Sequence, residues 1–453
     1  MSGGTNPTIN YKTRTVRISH PTGFVVYGGQ FGSEGKGQLA GTLAMELGAD
    51  ASVSAFTPNA GHTFKMGSLI ALVERRLRSK TLKDYYSKLV FKAIPCSSWI
   101  TPKVFITPAS VFDPTRLVAE ALICKLINPN LVIYVHSNSM VLCDEHRELE
   151  AQMVGGVSST RQGTFGAMVE KMSRSEDAHT AGKWIRSWIA DREVYGDMLE
   201  KAINYAVTNM GFPESHAQEL REMPLTILEV DTERYKAELS HCTTVAVEGC
   251  QGYSLGVHSG IYPYTTTREA NVLAVLSDCM VPVHWIKSVF HCFRTYPIRV
   301  GNVYDSEGNL VETSGPTYSK ETSFEDLGRE PEKTTVTQKI RRIFEFSGSA
   351  FFEAVGFNSI PQAHDVVYFS FMDYLNEDEK LKITDSEDKT PEELAETLTK
   401  RFKASGFYKG NQAVQVAKAY GPNYEDLHFA KANVVRKLKY SYTNVKEEDD
   451  NEQ

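Results

Sequence analysis

The apolar run Phe24–Tyr27 is followed at once by Gly28 to Gln38, "GGQFGSEGKGQ", and then by "QLAGTLAMELGA", whose apolar positions have helical spacing. This succession predicts an α/β unit built around an anion site. Glycines let backbone N–H groups come close to a ligand, and a helix start leaves its first amides without intrahelical partners. Neither standard fingerprint fits. A P-loop needs G-x-x-x-x-G-K-[ST], but Gln30 stands five before Gly35 and Gly37 follows Lys36. The dinucleotide pattern G-x-G-x-x-G fails because the glycines run Gly32, Gly35, Gly37. The stretch reads as a phosphate site of another pattern, with Lys36 as its cation. An ordinary glycine-rich strand-to-helix turn is the alternative.

Short β-branched apolar runs recur at 131–138, 243–249 and 365–372. Helical patterns lie between them, such as "PTRLVAEALICKLI" and the mixed segment 220–239. The alternation predicts an α/β fold: a large, mainly parallel central sheet with helices on both faces, in one large domain with smaller subregions. That domain is expected to span 1–440, with a charge-dense peripheral insert at 375–402 whose helix starts at "TPEEL", and an acidic tail at 441–453. A net charge of −7 gives no sign of nucleic-acid or membrane binding, so an anionic ligand needs a local basic site. The seven cysteines form no C-x-x-C pair and read as reduced thiols, neither a zinc site nor a disulfide frame. No apolar run reaches membrane-spanning length and the N-terminal stretch has no apolar signal core, which predicts a cytoplasmic protein.

Three further stretches bear on chemistry. "TPNAGHTF" (57–64) follows an apolar run; His62 is either a satisfied surface histidine or an acid near the phosphates. "VEGCQGYSLGVHSGIYPYTTT" (247–267) is a long loop of four glycines and a threonine run, whose hydroxyls and amides suit a second phosphate. "EKTTVTQKIRR" (332–342) sets Lys339, Arg341 and Arg342 on a threonine-rich loop, which is either a carboxylate site or a solvated basic loop. Two anionic ligands point to a nucleotide-consuming enzyme.

In order and rough spacing, "GSEGKG", "NAGHT", "EGCQG…GIYPYTTT" and "TVTQKIRR" resemble adenylosuccinate synthetase across most of the chain. The resemblance implies a ligase that joins L-aspartate to C6 of a purine monophosphate. The γ-phosphate of a nucleoside triphosphate is placed on the purine 6-oxygen, and the aspartate amine then displaces it. It implies Mg²⁺ as cofactor, held by Ser33 and the Gly61 carbonyl, and catalytic roles for Ser33, Lys36, His62 and Gln251. Nucleotide contacts would come from Gly32, Glu34, Gly35, Gly37, Gln38, Asn59, Gly61, Thr63, Ser159, Thr160, Arg174, Thr266, Asp373, Gly421 and Pro422. Thr160 and Thr266 would hold the acceptor 5′-phosphate, and Arg174 would reach it from a neighbouring subunit of a homodimer. Val336, Thr337, Lys339 and Arg341 would serve the aspartate.

The departures from the family pattern point one way. The family's loop aspartate, which takes the N1 proton of IMP and binds Mg²⁺, is Ser33 here; a hydroxyl has no basic form near neutral pH. The arginine that contacts the ribose 2′-hydroxyl is Lys339, and "TKLD" has become "SFMD" (370–373), with Phe371 in place of lysine. A branch of the family in phages whose DNA contains 2-aminoadenine has serine at this loop position and uses dGMP with ATP or dATP. The resemblance to that branch implies a product N6-succino-2-amino-2′-deoxyadenylate, made in a host cytoplasm. Two alternatives stand beside it: a divergent enzyme still using IMP and GTP, favoured by the retained Asp373, and a purine-nucleotide sensor without turnover. Glu34, a water or the incoming aspartate are the candidates for the N1 proton.

Overall fold

The computed structural model describes residues 20–158, 160–333 and 339–429. The expected acidic tail lies outside them, as do Ser159, Val336 and Thr337. Ten strands make the central sheet: β1 (Thr22–Gly28), β2 (Ala51–Ser54), β3 (Lys103–Ile106), β4 (Val132–His136), β5 (Ile227–Val230), β6 (Thr244–Gly252), β7 (Ile286–Arg294), β8 (His364–Ser370), β9 (Gln415–Ala419) and β10 (Leu427–Phe429). Their order is β10-β9-β8-β7-β1-β6-β2-β3-β4-β5. Every pairing is parallel except β9 with β10. The expected α/β architecture is the one found.

The main helices are α1 (Lys36–Glu46), α2 (Pro114–Ile127), α3 (Asp144–Met153), α4 (Thr164–Ser173), α5 (Ala181–Ala190), α6 (Arg192–Met210), α7 (Thr232–Ser240), α8 (Val272–Asp278), α9 (Gly348–Asn358) and α10 (Pro391–Ala404). Alternation along each strand assigns the two faces. Val25 and Tyr27 of β1 face a core shared with α7, α8, α9 and α10. Phe24 and Val26 face Leu39, Ala40 and Leu43 of α1. Farther out, Val104, Ile106, Ile133 and Val135 pack under α2, α5 and α6. Strands covered on both sides are largely apolar, which is why β1, β6 and β8 announce themselves in the sequence.

Two expectations are corrected. The mixed segment 220–239 is not uniformly helical: Ile227–Val230 is the edge strand β5, and only then does Asp231 cap α7 by accepting from the Arg234 N–H. The segment 375–402 is not peripheral. Its charges cover one side of α10, while Leu394, Ala395, Leu398 and Phe402, with Leu381 and Ile383 before them, lie in the central core. Thr390 and Glu393 form a capping box at its start, as "TPEEL" suggested.

From β1 the chain runs outward through β2 to β5, returns as β6 beside β1, and then crosses to β7, β8 and β9 on the other side. β1 is therefore the switch point of an open parallel sheet, and the crevice at its carboxyl end is where such folds bind ligands.

Candidate active site

The glycine loop fills that crevice. Gly32, Ser33 and Gly35 all have positive φ, at 95°, 61° and 80°, so the chain coils tightly before entering α1 at Lys36. The coil closes around Glu34, which is fully buried. Its carboxylate accepts from the Gly32 N–H at 2.6 Å and from Lys36 Nζ at 2.6 Å. Burial pushes the Lys36 ammonium down, but the adjacent Glu34 carboxylate more than offsets this and holds it above the ordinary lysine value. Lys36 is thus a fixed cation at a helix start that has no side-chain cap and no acidic residue in its first turn. The loop is clamped from the next strand. A β-carbon on Gly252 would sit 2.2 Å from the Gln30 carbonyl, so only glycine lets β6 lie this close. Ser254 N–H donates to the same carbonyl.

His62 arrives on a two-stranded hairpin (His62–Lys65 with Lys88–Phe91). Its Nδ1 lies 2.5 Å from Glu248 Oε1, in the middle of β6, and its Nε2 lies 3.4 Å from the Cys250 carbonyl. Both partners are acceptors, so both ring nitrogens have a site for a proton. Glu248 is held in turn by the Cys96 N–H at 2.8 Å, and the Phe56 ring packs edge-on against the imidazole. Gln251 lines a crevice with Glu248, Cys250, Arg268 and Asp278.

The other expected residues fall around this centre. Gln38 spends its side-chain amide on the Lys65 backbone, giving and accepting one bond, so its own N–H is what remains for an anion. Asn59 Oδ1 accepts from Thr57 Oγ1 in the turn before Gly61 and Thr63, both exposed. Thr266 N–H donates to the Leu255 carbonyl, whose side chain borders Gly32. Thr160 lies in a segment tied to the far side of the crevice: Val157 bridges Thr313, and Arg161 pairs with Glu312, which also lies 3.8 Å from Lys339. Thr160 Oγ1 is buried with no hydrogen-bond partner among the described residues. A hydroxyl buried that way costs about 1–3 kcal/mol unless something else meets it. Arg174 is exposed at the C-cap of α4, in left-handed conformation, and no contact among the described residues joins it to the loop. Asp373 and the Gly421-Pro422 turn follow neighbouring strands, β8 and β9; the Asp373 carbonyl is bound by Arg329.

Sequence reading missed one cluster. Arg294 ends β7 fully buried, gives its guanidinium to Glu332 on two nitrogens and stacks 3.5 Å over the Phe371 ring. Gln30 locks onto its backbone through both ends of its amide, at 3.2 and 2.9 Å. Glu332 accepts from Tyr374 at 2.8 Å, and its own carbonyl takes the Arg341 N–H. Arg294 therefore braces Gln30 of the glycine loop, Glu332 with its partner Arg341, and the turn after β8 against one another. The signal in the sequence was an arginine closing the apolar run "SVFHCFR".

Residues 25–439 match the sequence model of a family described as adenylosuccinate synthetase. The chain is 34% identical over 360 residues to the N6-succino-2-amino-2′-deoxyadenylate synthase of Acinetobacter phage SH-Ab 15497, covering 78% of this chain and 84% of the relative. It is 33% identical to the enzyme of the same name from Cyanophage S-2L, over 76% and 81% of the two chains. The solved structure of the Cyanophage S-2L succinoaminodeoxyadenylate synthetase, bound to dGMP and dATP as an energy donor, superposes with TM-score 0.66 at 28% identity, covering 94% of this chain and all of that one. Adenylosuccinate synthetase from Plasmodium falciparum shares the fold, with TM-score 0.58 at 17% identity over 90% of this chain.

Proposed function

This chain belongs to the adenylosuccinate synthetase family of ligases, and from that premise we propose that it joins L-aspartate to C6 of dGMP at the expense of ATP or dATP. The product is N6-succino-2-amino-2′-deoxyadenylate. The observation that carries the reading is the loop: a hydroxyl, Ser33, stands between Gly32 and the sealed Glu34–Lys36 pair, where the family has a carboxylate. A carboxylate there would grip the N1–H and N2–H of guanine; a hydroxyl leaves room for the 2-amino group. The phage relatives of the same name and the dGMP-bound neighbour support it.

In this reading Lys36 and the first amides of α1 stabilise the phosphoryl group in transfer, which is electrostatic work. His62 donates toward the phosphate through Nε2, while Glu248 holds Nδ1 and stabilises the imidazolium. Gln251 meets the purine 6-position. Both oxygens of Glu34 are occupied, so the N1 proton passes to water or to the aspartate amine. Thr160, with its unmet hydroxyl, and Thr266 take the acceptor phosphate, and Arg341 the aspartate. The oxygen donors available, the Ser33 hydroxyl and Gly61 carbonyl, suit Mg²⁺, which binds hard oxygens and substrate phosphates. When bound, it would neutralise phosphate charge. Arg174, exposed and away from the loop in its own chain, serves the site of a partner subunit in a homodimer.

The test is phosphate release with aspartate and Mg²⁺ for each pairing of dGMP or IMP with ATP, dATP or GTP. Turnover is expected with dGMP and an adenine donor. Turnover with IMP alone would establish the older substrate pair, and silence in all pairings a nucleotide sensor.

A further inference from the structure

We propose that Cys143, His146 and His179 form a zinc-binding site, remote in role from the ligase chemistry. Cys143 is the N-cap residue of α3, His146 sits in its first turn, and His179 precedes α5. Cys143 Sγ lies 3.2 Å from His146 Nδ1 and 4.0 Å from His179 Nδ1, and the three donor atoms all fall within 4.8 Å of one another. A tetrahedral site with Zn–S of about 2.3 Å and Zn–N of about 2.0 Å has S···N edges of about 3.5 Å, between the two distances observed.

The surroundings are those of a ligand set already aimed. Glu170 of α4 receives His146 Nε2 at 2.9 Å; a carboxylate only accepts, so Nε2 carries the proton and Nδ1 presents a lone pair toward Cys143. An imidazole whose other nitrogen is held by a carboxylate is the usual support of a metal-bound histidine. Nδ1 of His146 also takes the Cys143 N–H at 3.2 Å, and His179 Nδ1 now donates to Glu170 Oε1 at 2.9 Å. Metal binding exchanges those contacts for coordination, and the His179 N–H keeps Glu170 in place at 3.1 Å. The backbone beneath is fixed: Val141 N–H donates to the His179 carbonyl, and Val111, Met140, Leu142, Ala167 and Ala178 pack below it. His179 is exposed, which gives the ion an entry path, and water completes the fourth position. A search for paired cysteines misses the site, because its spacing is Cys-x-x-His with a distant third ligand.

The experiment uses the full chain stripped with a chelator and titrated with Zn²⁺ and, separately, Co²⁺. One equivalent should bind, and Co²⁺ should develop thiolate charge-transfer and tetrahedral d–d absorption. Cys143→Ser should abolish the charge-transfer band, His179→Gln should lose tight binding, and Glu170→Gln should weaken it by about tenfold to a hundredfold. Cys242→Ser should leave all three readouts intact. No stoichiometric binding by the full chain, or a cobalt spectrum that survives both Cys143→Ser and His179→Gln, overturns the site. Melting temperature without metal separates misfolding from ligand loss: a folded variant has its usual value. If one variant fails to fold, the other decides. None of these readouts depends on which nucleotides the enzyme uses.

Discussion

Ser33 stands at φ 61°, in the left-handed region, where aspartate is among the more tolerant side chains. Ser33→Asp should therefore fold with an unchanged melting temperature, and its effect should fall on the substrate. A carboxylate returned beside the acceptor ring is expected to lower kcat/KM for dGMP by at least about tenfold, or roughly 1.4 kcal/mol. Steady-state kinetics check this, and unchanged dGMP kinetics would refute the placement of the base. The His62–Glu248 pair gives a second prediction. Glu248 touches no substrate in the proposed reading; it positions the imidazole and stabilises its charge. Glu248→Gln should lower kcat by at least about tenfold with little change in KM, whereas His62→Ala should lose about a hundredfold to ten-thousandfold. A rise in KM at constant kcat would make Glu248 a binding residue instead. The glycine loop and His62 could be read from sequence as a phosphate site with an acid near it. Their partner Glu248 could not, since 186 residues separate it from His62.

At the scale of single elements, β1, β4, β6 and β8 were legible as short apolar, β-branched runs, whereas β7, equally central, was not, because Lys287, His291 and Arg294 break up its apolar run. β5 was not: an edge strand of four residues, Ile-Leu-Glu-Val, with a half-buried glutamate, carries no more signal than a helix turn. Charge misled in the same way at α10, where a dense polar face hides an apolar one. The end of β4 gives a pH prediction. His136 accepts the Asn138 N–H on Nδ1 and meets Thr232 Oγ1 through Nε2, so it is held neutral. Burial, with the Lys171 charge nearby, lowers it from 6.5 to about 4. Between those two values the unfolded chain binds a proton that the folded chain does not, so stability falls as pH drops from 6.5 toward about 4. Below that both states are protonated and the loss stops. His136→Asn, which can keep one acceptor and one donor, should show a shallower loss of stability across the window in urea unfolding at stepped pH. Parallel curves for the two proteins would mean that His136 titrates normally.

For the molecule as a whole, the alternation of strands and helices declared the fold class, but not the strand order. Nothing local records that Gln30 will be locked to Arg294, 264 residues away, or that β6 will return to lie beside β1. Those contacts gather the loops at one edge of the sheet, and they leave Arg174 outside, exposed on the cap of α4. If Arg174 completes the acceptor-phosphate site of a second subunit, then each site is built from two chains, and the defect of one chain can be repaired by another. Lys36→Ala and Arg174→Ala should each be nearly inactive alone. Mixed in equal amounts and allowed to exchange subunits, about half the dimers pair one of each, and such a dimer has one site with both defects and one with neither. Activity should then recover to about one quarter of the unmodified enzyme. A mixture no more active than its parts, despite exchange followed by a tag on one variant, would place Arg174 outside the shared site.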